Sequence, residues 1–454
     1  MRIAVIGTGY VGSVTGTCFA ELGHEVVCSD LDEKRIETLS KGILPFFEPH
    51  LEPMLKTNLE EGRLRFVADN CEAVRDAEVI FICVGTPPLP NGKPDRRSLE
   101  TAIKDIASSI EGYTLIVEKS SLPIQTGDWL KNELHKSVKP GVTFDVAAVP
   151  QFMREGYAVQ DFLKADRIII GADSERALDF LVNLYRPFNA PILVTDMNSA
   201  ELIKHASNAF LAMKISFINS IAQICEQTGA DVTQVSKGLG LDHRILPSYL
   251  NAGIGYGGIF FPKDIASLVS IADQYSINVD LIKSVETVNR YQRLMFVEKI
   301  EEALGGSVKG KTIACWGLAY RPNTDDLRDA PSIGIIRSLE KRGAKIKAYD
   351  PIAIPAAKEI FPKLGYFDNP YDVTTDADAI VIFTEWTEFQ RINFKRLKEA
   401  TACRLIIDGR NLYTGNRLSE LGFTYHSIGR RVAKPGDTSY LEKELNLIGS
   451  KTKK

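Results

Sequence analysis

Arg2-Ile3-Ala4-Val5-Ile6-Gly7-Thr8-Gly9-Tyr10-Val11-Gly12 opens the chain directly after Met1. Five residues of mostly apolar character are the mark of a buried parallel strand. The spacing that follows is G-x-G-x-x-G, and a helical pattern then runs from Val11 to about Leu22. A second strand, Glu25 to Ser29, stops at Asp30. Strand, glycines, helix, strand and acid in that order form a dinucleotide-binding unit. Gly7 makes the tight turn, Gly9 lets the backbone reach a pyrophosphate, and Gly12 lets the helix pack on the strand. The amides of Tyr10, Val11 and Gly12 open the helix, whose N-terminus favours phosphate. Asp30 would hold ribose hydroxyls and repel a 2′-phosphate, which selects NAD over NADP. Arg35 would lie along the adenosine.

Further strands are expected at Val79–Val84, Thr114–Lys119 and Asp145–Val149. The first two end in Gly85-Thr86-Pro87-Pro88 and Ser120-Ser121-Leu122-Pro123, and the third runs into Pro150-Gln151-Phe152. In an open α/β sheet the carboxyl ends of strands line the ligand crevice, so Thr86 and Ser121 are candidate cofactor contacts. A pattern of apolar residues at helical spacing covers Ser199–Thr228 without Pro or Gly. A helix of that length would join two domains and would serve as a dimer seam. Lys204 and Asn208 share one face of it. A second α/β unit follows. Its strands are expected at Lys311–Trp316, Lys345–Tyr349, Ala379–Phe383 and Arg404–Asp408, with a helix over Ser332–Arg342. It has no G-x-G-x-x-G, so it would hold a nucleotide other than the dinucleotide. The fold class is thus α/β: two Rossmann-like doubly wound parallel sheets joined by a long central helix. The expected domains are 1–198 (NAD-binding), 199–305 (central, helical), 306–435 (C-terminal, Rossmann-like) and a tail, 436–454, whose last residues, Gly449 to Lys454, are expected to be disordered.

Between the helix and the second unit lies Asn251-Ala-Gly-Ile-Gly-Tyr-Gly-Gly-Ile-Phe-Phe-Pro-Lys-Asp264. Gly253, Gly255, Gly257 and Gly258 permit positive φ and close approach to a ligand. Pro262, Lys263 and Asp264 are expected to end the loop. Such a loop would also serve as a tight helix connection, but a polar tripeptide after two phenylalanines favours a ligand loop. It contains no Cys, Ser or Thr.

With 454 residues, 44% hydrophobic and 25% charged, the chain is long enough for two or three soluble domains. A net charge of −3 argues against nucleic acid as a partner. No apolar run is long enough to span a bilayer, and no signal-peptide layout precedes the first strand. The seven cysteines are scattered, with no CxxC pair or Cys/His cluster, which points to no metal and a reduced, cytoplasmic chain.

Several stretches taken together carry a family resemblance. They are G-T-G-Y-V-G, F-F-E-P, V-G-T-P-P, A-E-L-I-K-H-A-S-N-A-F-L-A-M-K-I-S-F-I-N, G-I-G-Y-G-G-x-x-F-P-K-D, G-L-A-Y-R-P-N-T-D-D-L-R and D-G-R-N. Over roughly residues 1–430 the chain resembles the UDP-glucose/GDP-mannose dehydrogenases, closest to the UDP-glucose 6-dehydrogenase branch. The resemblance implies a dimer through the middle domain, NAD on the first domain, and a UDP-sugar between the middle and third. It implies that Lys204 and Asn208 flank the sugar's reacting carbon, with Lys263, Asp264 and the Ser121 hydroxyl at the same centre. Arg244, Asn251 and the backbone from Tyr249 to Gly257 would grip the diphosphate, and Phe152, Tyr320 and Arg321 would lie along the substrate. Glu155 and Arg328 would meet the cofactor.

The family oxidises an alcohol twice, through an aldehyde that a cysteine captures as a thiohemiacetal and then a thioester. Its loop reads G-G-S-C-F-P-K-D, whereas this chain reads Gly257-Gly258-Ile259-Phe260-Phe261-Pro262-Lys263-Asp264. The nucleophile's position holds Phe260. The family's N-P-E-F is Val149-Pro150-Gln151-Phe152, so an acid/base carboxylate is an amide that does not titrate. Ser121 stands for a threonine and keeps the hydroxyl. Both losses fall in the second half of the cycle. The sequence therefore predicts an NAD-dependent UDP-sugar oxidoreductase that transfers one hydride, giving an aldehyde or keto sugar or returning the hydride as an epimerase does. Two alternatives stand beside it: a full 6-dehydrogenase acting on the hydrated aldehyde, and a catalytically silent binding protein.

Overall fold

The computed structural model describes residues 1–86 and 95–436. Pro87 and Pro88 of the first proline turn, and the expected tail beyond Gly436, lie outside the described residues. The chain divides into two compact units, Met1–Ser207 with Ala266–Ser276, and Asn208–Ile265 with Ile277 onward.

The first unit is built on eight strands: β1 (Arg2–Ile6), β2 (Glu25–Ser29), β3 (Leu64–Val67), β4 (Val79–Ile82), β5 (Tyr113–Glu118), β6 (Thr143–Ala148), β7 (Ile168–Ala172) and β8 (Ile192–Thr195). Their order is β3-β2-β1-β4-β5-β6-β7-β8, parallel except for the antiparallel β6–β7 pair. The four residues of β4, Val-Ile-Phe-Ile, are all buried. Helices cover both faces: Val14, Cys18 and Phe19 pack on one, Leu99, Ile103, Leu130 and Leu134 on the other. This two-sided cover is why the inner strands read as continuous apolar runs rather than alternating ones.

The second unit carries β9 (Thr312–Trp316), β10 (Lys345–Tyr349), β11 (Gly365–Tyr366), β12 (Ala379–Ile382), β13 (Leu405–Asp408) and β14 (Thr424–Ser427). All are parallel, in the order β11-β10-β9-β12-β13-β14. The long helix spans Met197–Thr228, 32 residues, and the boundary between the units falls within it after Ser207.

Pro262, Lys263 and Asp264 do not end a loop; they lie in the first turn of a helix, Phe260–Gln274. Proline is tolerated there because a first-turn N–H has no intrahelical acceptor to lose.

Candidate active site

In the first unit the turn after β1 has the shape a dinucleotide needs. Gly7 adopts φ +93°, and a Cβ on it would lie 2.9 Å from the backbone of Cys83 and Val84. A Cβ on Gly12 would lie 1.7 Å from the Gly7 carbonyl oxygen, so the helix Tyr10–Glu21 reaches the turn only because that residue is glycine. Gly9 faces open space, with nothing within 4 Å of a Cβ placed there. No side chain caps this helix, which leaves its first amides to a ligand.

Asp30 closes β2. Its Oδ2 accepts from the Thr8 amide at 2.8 Å and from Arg35 Nη1 at 2.9 Å; its Oδ1 accepts from the Asp32 amide at 3.0 Å. Burial opposes its ionisation, but the Asp32 and Thr8 amides and the Arg35 guanidinium together hold the carboxyl below its usual range. Thr86 is buried, and its hydroxyl has no hydrogen-bond partner among the described residues. A buried donor left over at a strand's carboxyl end, beside an open glycine and an uncapped helix, fits NAD.

Tyr10 does something the sequence reading did not foresee. Its hydroxyl donates to Glu48 Oε2 at 2.5 Å, and the buried Glu48 also accepts from the Gly156 and Ala158 amides, each at 2.7 Å. Glu48 thus ties the dinucleotide helix to the loop holding Glu155, itself buried. The signal was present as the E of F-F-E-P, which carried no assigned role.

Ser121, Glu118, Pro150, Glu201, Lys204 and His205 line one small cavity beside the ends of β5 and β6. Lys204 is 3% exposed and its Nζ lies 5.2 Å from the centre of the Phe152 ring. Its position is indexed from below. Glu201, one turn earlier, accepts from the Gln125 amide at 2.5 Å and the Gly127 amide at 2.7 Å, capping the helix Thr126–Ser137. His205 contacts the Leu122 carbonyl at 2.7 Å through Nε2. Burial raises the Glu201 carboxyl, against the Gly127 amide, a hydrogen bond from Glu118 and the Gln125 amide. Next along β5's end, Lys119 is buried; desolvation, with the Lys204 charge adding to it, pushes its ammonium down to about 8. Glu118, Lys119 and Glu201 were not singled out from sequence.

Gln151 is 2% exposed. Its Oε1 accepts from the Met153 amide at 2.7 Å, and its Nε2 has no partner among the described residues.

The second unit contains the glycine loop. Asn208 Nδ2 donates to Asp264 Oδ2, a pair of buried side chains. The loop's backbone is clasped from several sides. Asn219 Oδ1 accepts from the Gly253 amide at 2.8 Å, and Gln292 donates to the Gly253 carbonyl at 2.8 Å. Asn289 takes the Tyr256 amide at 2.9 Å and donates to the Tyr256 carbonyl at 3.1 Å; Arg293 donates to the same carbonyl at 2.7 Å. Arg410 reaches the carbonyls of Gly255, Tyr320 and Phe383. A Cβ on Gly255 would lie 2.4 Å from Asn289 Oδ1, and one on Gly258 would lie 2.8 Å from the Tyr320 ring. Gly255 and Gly258 are therefore required for the clasp. Of these clasp residues, Asn219 ends the quoted motif A-E-L-I-K-H-A-S-N-A-F-L-A-M-K-I-S-F-I-N and Arg410 lies in D-G-R-N, and neither was given a role.

Arg244 is exposed and paired to Asp242 at 2.6 Å, and Arg328 is paired to Asp326 at 2.8 Å. Tyr249 adopts φ +64°. Phe260, Lys263, Tyr320 and Arg321 are half-buried, and Asn251 is exposed.

These features agree with comparisons to known proteins. The NAD binding domain of the UDP-glucose/GDP-mannose dehydrogenase family is matched over residues 1–189, its central domain over 198–291 and its UDP binding domain over 314–415. The chain belongs to the UDP-glucose/GDP-mannose dehydrogenase family. As a member it is an NAD-dependent nucleotide-sugar oxidoreductase. It is 44% identical to the UDP-glucose 6-dehydrogenase TuaD of Bacillus subtilis (strain 168) over 440 residues, 96% of this chain and 95% of that one. It is 42% identical to the UDP-glucose 6-dehydrogenase of Rhizobium meliloti (strain 1021), covering 95% and 100%. Among solved structures, a UDP-glucose dehydrogenase from the hyperthermophilic archaeon Pyrobaculum islandicum superposes with TM-score 0.87 at 35% identity, covering 94% and 98%. Membership of the family agrees with both sheets and with the long helix. Among the described residues no helix is long and apolar enough to cross a membrane, and no group of His, Cys, Asp or Glu would hold a metal ion.

Proposed function

We propose that this protein is a UDP-sugar oxidoreductase of the UDP-glucose 6-dehydrogenase type that moves one hydride per sugar. The observation carrying this is Phe260, the first residue of the helix after the glycine loop, at the position where the family pattern has a thiol. None of the seven cysteines lines the cavity beside Lys204 and Ser121. Burial raises the thiols of Cys18, Cys28, Cys83, Cys225, Cys315 and Cys403, and for Cys83 the value is about 12. Such thiols are poor nucleophiles at neutral pH.

NAD⁺, when bound, accepts the hydride from the sugar's carbinol carbon, and the hydroxyl proton passes to a base. The catalytic set we assign is Lys204, Asn208, Asp264 and Ser121. Gly7, Gly9, Tyr10, Val11, Gly12, Asp30, Arg35, Thr86, Ser121, Glu155 and Arg328 are the assigned cofactor contacts. A lysine ammonium in a dry site suits an oxygen gaining negative charge. With no thiol to capture the carbonyl and an amide at Gln151, the cycle has no covalent intermediate through which a second hydride would leave.

The test counts hydrides. UDP-glucose and NAD⁺ are incubated with the enzyme, and NADH and product mass are followed together. One NADH per sugar with an aldehyde or keto product, or none with isotope exchange at a sugar carbon, is expected. Two NADH per sugar and UDP-glucuronate formed at an ordinary enzymatic rate would overturn the reading.

We also infer a cytoplasmic homodimer. Phe210, Phe217 and Ile224 recur at seven-residue spacing on the long helix and are 56%, 49% and 58% exposed, an apolar stripe suited to a second copy of the chain. Seven unpaired cysteines suit a reducing compartment. Sedimentation of Phe217→Asp should show monomer if the stripe is the seam.

A further inference from the structure

Asp329 holds an uncommon backbone shape. Its φ is +49°, in the left-handed region that residues with a side chain seldom adopt. It is gripped there by Arg293, on the helix Asp280–Ala303. Arg293 Nη1 donates to Asp329 Oδ1 at 2.8 Å, and Nη2 donates to Oδ2 at 2.9 Å and to the Asp329 carbonyl at 3.3 Å. A bidentate guanidinium–carboxylate pair fixes direction as well as distance. The same Nη2 donates to the Tyr256 carbonyl at 2.7 Å. One side chain thus holds two segments far apart in the sequence, the glycine loop and the turn at Arg328 and Asp329.

The two segments meet without slack. The Gly258 amide donates to the Arg328 carbonyl at 3.1 Å. A Cβ on Gly257 would lie 2.5 Å from the Asp329 carbonyl oxygen and 2.8 Å from Pro331 Cδ. Asn289, one turn ahead of Arg293 on the same face of the helix, is 4% exposed and takes both peptide groups of Tyr256. Asn289 belongs to the packed interior. The Arg293–Asp329 pair does not: its side chains are 20% and 43% exposed, and an ion pair so placed adds little stability. Backbone strain of this kind collects at ligand clamps and switch segments. Both segments adjoin residues assigned above, since the loop leads into the helix that carries Asp264 and the turn carries Arg328.

We propose that Arg293 is a positioning residue. Through Asp329 it pins the glycine loop to the Arg328 turn and keeps the loop in the shape that receives the UDP-sugar. This rests on the reading of the site given above. A loop released from the pin samples other shapes, and the sugar must then select the competent one. The apparent dissociation constant rises by the inverse of the competent fraction. Turnover at saturation is kept, because the bound loop is ordered again. A residue that served stability alone would not separate affinity from turnover.

Arg293→Met removes these bonds and keeps an unbranched stem on the helix. Its dissociation constant for UDP-glucose, read by calorimetry, should rise about tenfold or more, and KM with it. Its kcat should stay within about threefold, and its melting temperature within about 3 °C, of native. Asp329→Asn keeps a residue that tolerates the left-handed region but loses the charge, and should bind UDP-glucose about threefold more weakly. The double variant should bind no more weakly than Arg293→Met, because both changes remove one link. Native affinity in Arg293→Met, a fall in kcat with affinity kept, or losses that multiply in the double variant would overturn the proposal. Should Arg293→Met fail to fold, Asp329→Gly carries the test. Glycine accepts the positive φ and lacks the carboxylate, so this variant should melt within about 3 °C of native yet bind UDP-glucose about threefold or more weakly. Native affinity in it overturns the proposal equally. A product of two oxidation steps would defeat the single-hydride reading and leave these affinities as expected, so the two failures are distinguishable.

Discussion

The two parallel sheets share a plan and differ at one edge. Each places an aspartate at the end of its second strand, against the turn that follows its first: Asp30 beside Thr8, and Asp350 beside Leu318 and Ala319. Asp30 keeps a side chain 15% exposed. Asp350 is 1% exposed and accepts from the amides of Leu318, Ala319, Ile352 and Ala353 and from the Trp386 indole. The hydroxyl at the end of the neighbouring strand follows the same division. Thr86 Oγ1 has no partner among the described residues, while Thr384 Oγ1 donates to the Ala319 carbonyl at 2.5 Å. One edge keeps a partly exposed carboxylate and an unpartnered hydroxyl; at the other edge both groups are buried against protein partners. A Rossmann topology is thus not itself a dinucleotide site. What makes it one is the polar groups it leaves unspent.

That comparison breaks most readily at Gly12. A Cβ 1.7 Å from a carbonyl oxygen has no room, so Gly12→Val should abolish NAD binding and cost about 4 kcal/mol or more, read by titration and thermal melting. Gly9→Ala is its control. Open space surrounds that position, so melting should be unchanged while NAD affinity falls, because the new methyl stands where the phosphates approach. If both variants bind NAD normally, the first edge is not the dinucleotide site.

Asp350→Asn should come next, at about 3 kcal/mol of stability, since an amide cannot accept from five donors. NAD affinity should not change. Asp30→Asn should do the reverse: about 1 kcal/mol of stability, and a relative gain for NADP over NAD as the repulsion of a 2′-phosphate is removed.

An effect that depends on pH should come from Lys119. Its folded value of about 8 lies below the unfolded 10.5, so the unfolded chain binds more protons between these values and stability rises with pH across that window. Lys119→Met should therefore melt higher at pH 7, by at most about 3 kcal/mol, and the advantage should shrink between pH 8 and 10.5. A constant advantage would mean that the ammonium is not the source of the cost.

Much of this fold is legible in the chain because local signals and the buried environment agree. The run Arg2–Gly12, the second strand to Asp30 and the pattern of the long helix each carry their own period. Strands β7 and β8 are not legible in the same way: β7 pairs antiparallel with β6 and β8 is partly exposed, and neither is introduced by a turn signature. The site is less legible for a different reason. Lys204 and Asn208 announce themselves by spacing on a helix, but Glu48, Glu201 and Asn289 act on groups about 30 or more residues away. A carboxylate reads as an ordinary solvated charge until the fold shows it buried and saturated with amides.

The double grip of Glu201 on the helix start at Gln125 and Gly127 has a consequence for how this chain tolerates length changes. Inserting one residue in a helix turns everything beyond it by about 100°. Between Glu201 and Lys204 such an insertion would swing the lysine away from its cavity while the cap stayed in place. Ahead of Asp196, in the connection from β8, the same insertion would be absorbed before the cap sets the phase. The helix thus has a zero mark, and the lysine is read from it.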